Sequence, residues 1–412
     1  MRAQTRQGLP SPTRQQQGGG RRRAVSAAAA LVIGVMTTGV LAPPSASASG
    51  SASASISISA SGSADPAAAP ARPDAVERAL DSLVRDDGMP AALASVRDRD
   101  GRTRTYTAGV GDLATGSKVP RDGQVRIGSN TKAFTAVVVL QLVGEGKIGL
   151  DTMVDTYLPG LVRGEGIDGR HITVRRLLQH TSGLPDYGVH IDDDEIRNRY
   201  VEPRELLDIA LRYKADAAPG ETWGYSNTNY VLAGLIVQKV TGRPLAEEID
   251  RRVIKRIGLR HTYFPAPGEM TIREPHPQGY HRNPADGPLR DFTEMDPSWG
   301  WAAGQMVSTN SDLNRFFTAL LAGRLLPAAQ LAEMRTTVPV GTAGLGYGLG
   351  LTSRPLSCGG VYWGHGGDIA GYETRGGVTD DGRAVNVAVT SIPTDDSATQ
   401  HVKDAVDRAL CG

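Results

Sequence analysis

Residues 126–132 read Arg126-Ile127-Gly128-Ser129-Asn130-Thr131-Lys132, and the rest of the chain is organised around them. The apolar residues before the serine indicate the end of a strand, and an apolar helix follows from Asn130. Ser129 therefore stands at a helix N-terminus, where free N–H groups and the helix dipole stabilise developing negative charge. Lys132 follows one turn later on the same face. A neutral amine there is a candidate base, since a hydroxyl attacks well only after losing its proton.

The Ser-x-x-Lys pattern alone is weak evidence, because a chain of this length gives roughly one such match by chance. Of seven lysines, Lys132 is the one preceded at that distance by a serine. The alternative is a serine that caps the helix, followed by a solvated lysine. The other motifs of the chain decide between these two interpretations.

Residues 1–48 have the composition of a signal peptide. They contain six arginines and no acidic residue, then an uncharged, mostly apolar run at 27–42 and a small-residue cleavage site at 46–48. The apolar run is too short to span a membrane in the mature protein, although an uncleaved anchor stays open as the alternative. Three consecutive arginines leave both Sec and twin-arginine export open. We expect a secreted protein with no transmembrane segment in its mature form.

Residues 49–73 are rich in alanine, serine, glycine and proline, which predicts a disordered linker. Residues 74–412 form the folded domain, which is large enough for two lobes. Strand patterns near both ends predict an α/β lobe from about 74–150 and 305–412. Helical patterns between them predict an inserted all-α lobe at about 151–304, with a ligand cleft at the junction.

The periodicity also predicts individual elements. The first helix begins after Asp74, and Asn227 is expected to cap a later helix that runs to about Val240. The predicted strands are Ala91–Val96, Arg104–Val110, Tyr347–Leu351, Val361–Gly364, Tyr372–Val378 and Ala384–Ser391.

Charge and cysteine content exclude several classes of function. Outside the leader the chain carries 39 basic and 44 acidic residues, so nothing favours nucleic-acid or anionic-membrane binding. Cys358 and Cys411, the two cysteines of the sequence, predict a disulfide in an exported protein. A zinc or thiolate site would need companion ligands at suitable spacing, which the sequence lacks. We therefore expect neither a metal nor a cofactor.

Two further motifs contain groups that could complete a serine hydrolase site. Tyr225 is the one tyrosine followed two residues later by an asparagine; a phenol beside a lysine can relay its proton, and the Asn227 amide can both donate and accept. His365 is the one histidine followed two residues later by a glycine. As a potential cation it could act on Lys132 or orient a substrate carboxylate. Taken singly, each is more often a packing or capping residue.

The three motifs occur in the order Ser-x-x-Lys, Tyr-x-Asn, His-x-Gly, and in this they resemble one branch of the serine β-lactamase and penicillin-binding superfamily. The resemblance is strongest to secreted actinobacterial D-alanyl-D-alanine carboxypeptidases of the S12 peptidase type. Supporting stretches are His180-Thr181-Ser182-Gly183-Leu184, Gly346-Tyr347-Gly348-Leu349-Gly350-Leu351 and Leu356-Ser357-Cys358-Gly359. The resemblance implies an antiparallel sheet flanked by helices, with an inserted helical lobe.

The resemblance also implies a role for each site residue. Ser129 would be acylated, Lys132 would be its base, and Tyr225 would move protons in both half-reactions. Asn227 and His365 would position the substrate. The backbone N–H groups of Ser129 and Asp368 would form the oxyanion hole, and Trp299 would line the acyl-side pocket.

One departure concerns substrate binding. Relatives of this pattern hold the terminal carboxylate of a peptide with two hydroxyls and an arginine, and the corresponding residues here are Gly366, Asp368 and Thr352. The hydroxyls are absent and an anion is present, which should weaken carboxylate binding. Arg354 or Arg375 could compensate, but the sequence does not place them.

We expect a hydrolase that cleaves D-alanyl-D-alanine ends of peptidoglycan peptides and is acylated by β-lactams. An esterase, a D-amino-acid amidase or a hydrolytic β-lactamase of the same superfamily are the alternatives. A non-catalytic penicillin-binding sensor is the alternative of another class, and it would need no activated nucleophile. The expected ligand is a small peptide or ester, and a monomer is the default expectation, since the sequence carries no signal for assembly.

Overall fold

A computed structural model describes residues 74–341 and 344–412 of the chain. The predicted signal peptide and linker lie outside these residues. Within the described part, no helix combines the length and the apolar character that crossing a membrane requires.

The central feature is an antiparallel sheet built from both ends of the described chain. Its nine strands, all within the described residues, are β1 Ala91–Arg97, β2 Thr103–Gly109, β9 Val338–Val340, β10 Leu345–Tyr347, β11 Thr352–Pro355, β12 Val361–Gly364, β13 Gly367–Ile369, β14 Tyr372–Thr379 and β15 Ala384–Val389. Their order in the sheet is β2-β1-β15-β14-β12-β11-β10-β9, and β13 pairs with β14 beside β12. Three separate two-stranded pairs lie between them in sequence: β3 Val125–Arg126 with β8 Val307–Ser308, β4 Arg163–Gly164 with β5 Ile167–Asp168, and β6 Tyr280–His281 with β7 Arg290–Asp291.

Helices cover both faces of the sheet and fill the middle of the sequence. They are α1 Ala75–Arg85, α2 Thr131–Gly144, α3 Val154–Tyr157, α4 Val174–Gln179, α5 Asp193–Ile196, α6 Pro203–Ala210, α7 Asn227–Thr241, α8 Leu245–Ile249, α9 Lys255–Ile257, α10 Trp301–Gly304, α11 Asn310–Leu321, α12 Ala328–Arg335 and α13 Asp396–Cys411. Short 3₁₀ turns span Gly128–Asn130, Tyr187–His190 and Pro297–Trp299, and a π-helical segment joins α8 to α9. The predicted fold class, an antiparallel sheet flanked by helices with an inserted helical region, is confirmed.

Helix α2 is the centre of the larger hydrophobic core. Every residue from Thr131 to Leu142 is buried, which explains why this helix is apolar on all sides rather than amphipathic. The smaller core lies on the other face of the sheet, where α1 and α13 pack together. Strand β14 separates the two: Tyr372 lies in the larger core and Thr374 contacts Asn130 on the same side, whereas Glu373 and Arg375 point towards α13 by strand alternation.

The glycine-rich stretch at 346–351 corrects one predicted strand. Tyr347 ends β10 instead of beginning a strand, and the chain bends until β11 starts at Thr352. At Gly350 φ is +77°, and a Cβ there would lie 2.6 Å from the Ala136 side chain and 2.7 Å from the Tyr230 hydroxyl. The backbone therefore follows the surface of α2, which a side chain would prevent. The predicted strand Ala384–Ser391 likewise ends earlier, at Val389.

The predicted disulfide is present. Cys358 and Cys411 are joined, with their Cα atoms 5.7 Å apart. The bond fastens the loop after β11 to the last turn of α13. Asp407 reinforces this link by accepting a hydrogen bond from the Ser357 N–H at 2.8 Å.

Candidate active site

Ser129 lies in the 3₁₀ turn that leads into α2, and Lys132 is in the first turn of that helix. The Lys132 Nζ is 3.0 Å from the Ser129 Oγ, and the lysine is fully buried. The two residues that the Ser-x-x-Lys pattern singled out are therefore in contact. The alternative interpretation, a solvated lysine beside a serine that caps the helix, is wrong, because Lys132 is buried.

Two other contacts decide how the Lys132 amine is oriented. Nζ lies 2.7 Å from Oδ1 of Asn227 and 2.9 Å from the carbonyl oxygen of Ala303, and both of these atoms can only accept. In the neutral amine, two N–H bonds point at these acceptors and the lone pair is left facing Ser129. Burial lowers the pKa of Lys132 to about 7, while the carboxylates of Asp186 and Asp368 oppose the change. The geometry and the pKa both suit proton removal from the serine hydroxyl.

Asp186 holds Asn227 in this orientation. Its Oδ2 accepts from the Asn227 side-chain amide at 3.0 Å, and its Oδ1 accepts from the Asn227 backbone N–H at 3.1 Å. Because a carboxylate only accepts, the amide nitrogen must face Asp186 and the amide oxygen must face Lys132. The prediction that Asn227 caps α7 is wrong: Ser226 occupies the N-cap position, and the Asn227 side chain is used by Lys132 and Asp186.

Tyr225 lies in the loop just before α7, with its ring above the lysine. The Lys132 Nζ is 4.8 Å from the centre of the ring, and the His180 ring packs against it at 4.3 Å. Burial raises the pKa of Tyr225 well above 10, although a hydrogen bond to Ser129 opposes the change. About a third of the residue (37%) is exposed, at the cavity that it lines. The phenol is therefore protonated at neutral pH and can donate a proton.

His365 is neutral, which corrects the expectation of a cation. Burial and the nearby Lys132 lower its pKa to about 3. Its Nε2 is 3.0 Å from the Tyr347 hydroxyl, and its Nδ1 is 2.5 Å from the Gly366 carbonyl oxygen. Since a carbonyl only accepts, Nδ1 carries the hydrogen and Nε2 accepts from Tyr347. The imidazole thus fixes two neighbours instead of supplying positive charge.

Strand β13 runs close beside the serine turn. A Cβ on Gly367 would lie 2.9 Å from the Ser129 nitrogen, and one on Gly128 (φ +46°) would lie 2.9 Å from the Asp368 nitrogen. The two-residue loop between β13 and β14 makes Ile369 and Tyr372 a hydrogen-bonded pair, so by alternation the Asp368 N–H points away from β14. That N–H is therefore directed towards the serine turn. The expected oxyanion hole fits this approach.

A cavity of about 420 Å³ opens at Ser129. Its lining residues are Ser129, Trp223, Tyr225, Asn227, Leu345, Tyr347, Thr352, Arg354, His365, Gly366, Asp368, Arg375 and Lys403. Trp299 is not among them; its side chain packs against the larger core, and its role in substrate binding stays a prediction.

The site includes residues that the sequence reasoning missed. Trp223, which lines the cavity, had a signal, since it precedes Tyr225 by two residues. Asp186, which lies outside the lining and contacts Asn227, had only its place after the His180–Leu184 turn as a signal, and this does not indicate where its carboxylate points. Lys403 had none, because it lies on the closing helix far from every motif.

The residues at the expected carboxylate-binding positions do not offer the usual donors. Gly366 has no side chain, and the Thr352 hydroxyl donates within the sheet to the Gly364 carbonyl at 2.8 Å. The Asp368 carboxylate pairs with Arg375 at 2.8 Å. However, Arg354 and Arg375, which the sequence could not place, both line the cavity.

Comparison with known proteins gives consistent neighbours. Penicillin-binding protein 4 of Amycolatopsis lactamdurans is 30% identical over 63% of this chain and 68% of that protein. Esterase EstB of Burkholderia gladioli is 32% identical over 71% and 81%. The crystal structure of a D-stereospecific amidohydrolase from Streptomyces sp. superposes with a TM-score of 0.74 at 42% identity, covering 81% of this chain and 98% of that one.

A match to the description of a whole family goes further than these pairwise likenesses. The Beta-lactamase family model matches residues 76–409, which include every residue of the site described above. With that match, the resemblance inferred from three motifs is confirmed at the level of the superfamily: the chain is an enzyme of the Beta-lactamase family, among the serine β-lactamases and penicillin-binding proteins.

Proposed function

We propose that the protein hydrolyses amide or ester bonds through an acyl-enzyme on Ser129. The observation that carries this proposal is the position of the Lys132 nitrogen. It lies between the Ser129 hydroxyl and two hydrogen-bond acceptors, Asn227 Oδ1 and the Ala303 carbonyl oxygen. A buried amine with a pKa of about 7 is half deprotonated at neutral pH, and this supports Lys132 as the general base.

The chemistry follows from the contacts. Ser129 Oγ attacks the carbonyl carbon as its proton passes to Lys132, and the backbone N–H groups of Ser129 and Asp368 stabilise the oxyanion. The bond to the leaving group then breaks as the Tyr225 hydroxyl donates its proton, which Lys132 replaces. In deacylation a water molecule loses a proton to the same pair, its oxygen attacks the acyl carbon, and Ser129 departs and is reprotonated.

For the substrate, we propose a D-alanyl-D-alanine carboxypeptidase acting on peptidoglycan peptides. Support comes from the likeness to a penicillin-binding protein and from the cationic side chains that line the cavity. The second candidate is a D-amino-acid amidase. The likeness to a D-stereospecific amidohydrolase favours it, as does the Asp368 anion at a position where relatives of the pattern hold a carboxylate.

We also propose that the protein is exported from the cytoplasm. The disulfide supports this, because such bonds persist in oxidising compartments. We further propose a monomer, which size-exclusion chromatography tests.

Acylation by a penicillin tests the proposal. We expect intact-mass spectrometry to show one benzylpenicillin adduct, mapped to Ser129, that is absent from Ser129→Ala and at least a hundredfold slower to form in Lys132→Ala. Lys239→Ala, which removes an exposed lysine of α7, is the matched control and should react as the native protein does. A folded protein that forms no adduct, or an adduct that forms equally fast without Lys132, would contradict the mechanism.

A further inference from the structure

Three cationic side chains meet at one end of the cavity that contains Ser129. They come from three different elements: Arg354 from β11, Arg375 from β14 and Lys403 from α13. All three lie on the face of the sheet that α13 covers. The cluster is therefore assembled by tertiary packing.

The acidic residues nearby do not neutralise this cluster. Arg375 takes both of them, with Asp368 at 2.8 Å and Glu373 at 3.2 Å. Burial raises the pKa of Glu373, which reduces its negative charge at neutral pH. Within residues 74–341 and 344–412, neither the Arg354 guanidinium nor the Lys403 ammonium makes a hydrogen bond or an ion pair, and the Asp368 carboxylate acts on their pKa values only from beyond ion-pair distance.

The two unpaired cations are unfavourably placed. Burial, and then repulsion by the other cations, lower the pKa of Lys403, and burial is also the main cause that lowers the pKa of Arg354. A buried charge without a partner is costly, and an anion bound between the two would remove much of that cost. Guanidinium and ammonium groups that converge on a cavity are suited to a carboxylate.

The cluster lies on the side of the cavity where the leaving group must go. The leaving group has to reach the Tyr225 hydroxyl, and the wall continues from Tyr225 to Tyr347, whose hydroxyl contacts His365. Next along this wall is Gly366, where a Cβ would lie 2.9 Å from the Arg375 guanidinium. The absence of a side chain at Gly366 thus leaves the Arg375 guanidinium uncovered at this wall of the cavity.

We propose that Arg354 and Lys403, backed by Arg375, form an anion subsite that selects substrates whose leaving group carries a carboxylate. This subsite uses none of the three positions at which relatives of the sequence pattern hold that group. The inference rests on the proposed function. It favours a peptidase whose substrate has a free C-terminal carboxylate over an amidase.

A pair of substrates that differ in one group provides the test. We would measure kcat/KM for D-alanyl-D-alanine and D-alanyl-D-alaninamide with the native protein, Arg354→Gln, Arg354→Lys, Lys403→Gln and Arg408→Gln. The last variant removes an exposed cation from α13 and controls for net charge. We expect the native protein to prefer the carboxylate by at least about tenfold, as one charge-assisted hydrogen bond allows.

Each glutamine variant should lose most of this preference, because its kcat/KM for the free acid should fall several-fold more than its kcat/KM for the amide. Arg354→Lys should keep part of the preference, and Arg408→Gln all of it. Lys403 is only half-buried, so Lys403→Gln serves even where the Arg354 variant fails to fold. A native protein without the preference, or glutamine variants that retain it in full, would overturn the subsite.

Acylation by benzylpenicillin and by its methyl ester separates this inference from the proposed function. If benzylpenicillin and its methyl ester acylate the native and variant proteins at equal rates, the subsite is overturned, while Ser129 remains the nucleophile. Faster acylation by the free acid, lost in Lys403→Gln, supports the subsite even if the dipeptides are poor substrates. No acylation and no hydrolysis at all would refute both the proposed function and the subsite that rests on it.

Discussion

The Asp186 carboxylate accepts two hydrogen bonds from Asn227, one from the backbone N–H and one from the side-chain amide. Through the second bond it determines which end of the amide faces Lys132. Asp186 does not itself line the cavity and has no hydrogen bond with Ser129, so it acts through Asn227 as a positioning residue. It also raises the pKa of Lys132 against the larger effect of burial.

Replacing Asp186 by asparagine should therefore have two separable effects. Because Asn227 loses its charged partner, we expect kcat/KM to fall by about 10–100-fold, the range for one hydrogen bond to a charged group. Because the anion that raises the Lys132 pKa is gone, the acidic limb of the pH profile should move to lower pH. A fall in rate with the limb unmoved would indicate general structural damage. Asp208→Asn, at a side chain that is 45% exposed on α6, is the control and should change neither quantity.

The native pH dependence can be derived with its sign. Lys132 must be neutral to accept the serine proton, and its pKa is about 7. Acylation should therefore be slow at pH 5, rise through a midpoint near 7 and level off above pH 8. His365 does not contribute to this limb, because its pKa of about 3 keeps it neutral throughout. Stopped-flow acylation by a chromogenic cephalosporin would measure the profile, and a midpoint near the ordinary lysine value of 10.5 would contradict the assignment.

Local patterns predicted those parts of the site that lie within one turn or one motif. Ser129 and Lys132 are three residues apart on a helix, so their contact follows from helix geometry. Tyr225, Asn227 and His365 were recognisable because each motif is unmatched elsewhere in the chain. Asp186 was not, because its partner is 41 residues away and nothing in a loop sequence indicates where a carboxylate will point.

The errors in the fold have a similar cause. Strand β11 contains Arg354 and ends in a proline, so it lacks an alternating pattern, whereas the glycine-rich bend around α2 has one. The cation cluster could not be predicted for the same reason. Arg354, Arg375 and Lys403 are brought together by the order of the strands in the sheet and by the packing of α13. Such contacts depend on tertiary packing, not on local periodicity.

Removing the Tyr225 hydroxyl should affect amides more than activated esters. In Tyr225→Phe the ring can still pack on His180, so the fold should persist, but the proton donor is lost. An amine leaves only when protonated, so we expect kcat for a D-amino-acyl amide to fall by about 10²–10⁴-fold. A p-nitrophenyl ester needs no such proton and should lose much less. Equal losses of kcat on both substrates would argue against proton delivery by Tyr225. The control is Tyr213→Phe, at a residue that is 41% exposed, which should keep the native kcat on both substrates.

The disulfide connects the two elements that carry the unpaired cations. Cys358 follows Arg354 in the loop after β11, and Cys411 ends α13, which bears Lys403. Closing a loop of 53 residues should stabilise the fold by about 4 kcal/mol on the chain-entropy model. The double variant Cys358→Ser, Cys411→Ser should lower the free energy of unfolding by up to this amount, measured by urea titration.

Because the bond also holds β11 against α13, the same variant should show a weaker preference for a carboxylate leaving group even where the protein stays folded. Its hydrolysis of a p-nitrophenyl ester at Ser129 should be unchanged. A variant that loses ester hydrolysis in parallel would show that the disulfide supports the whole site instead of its cationic end.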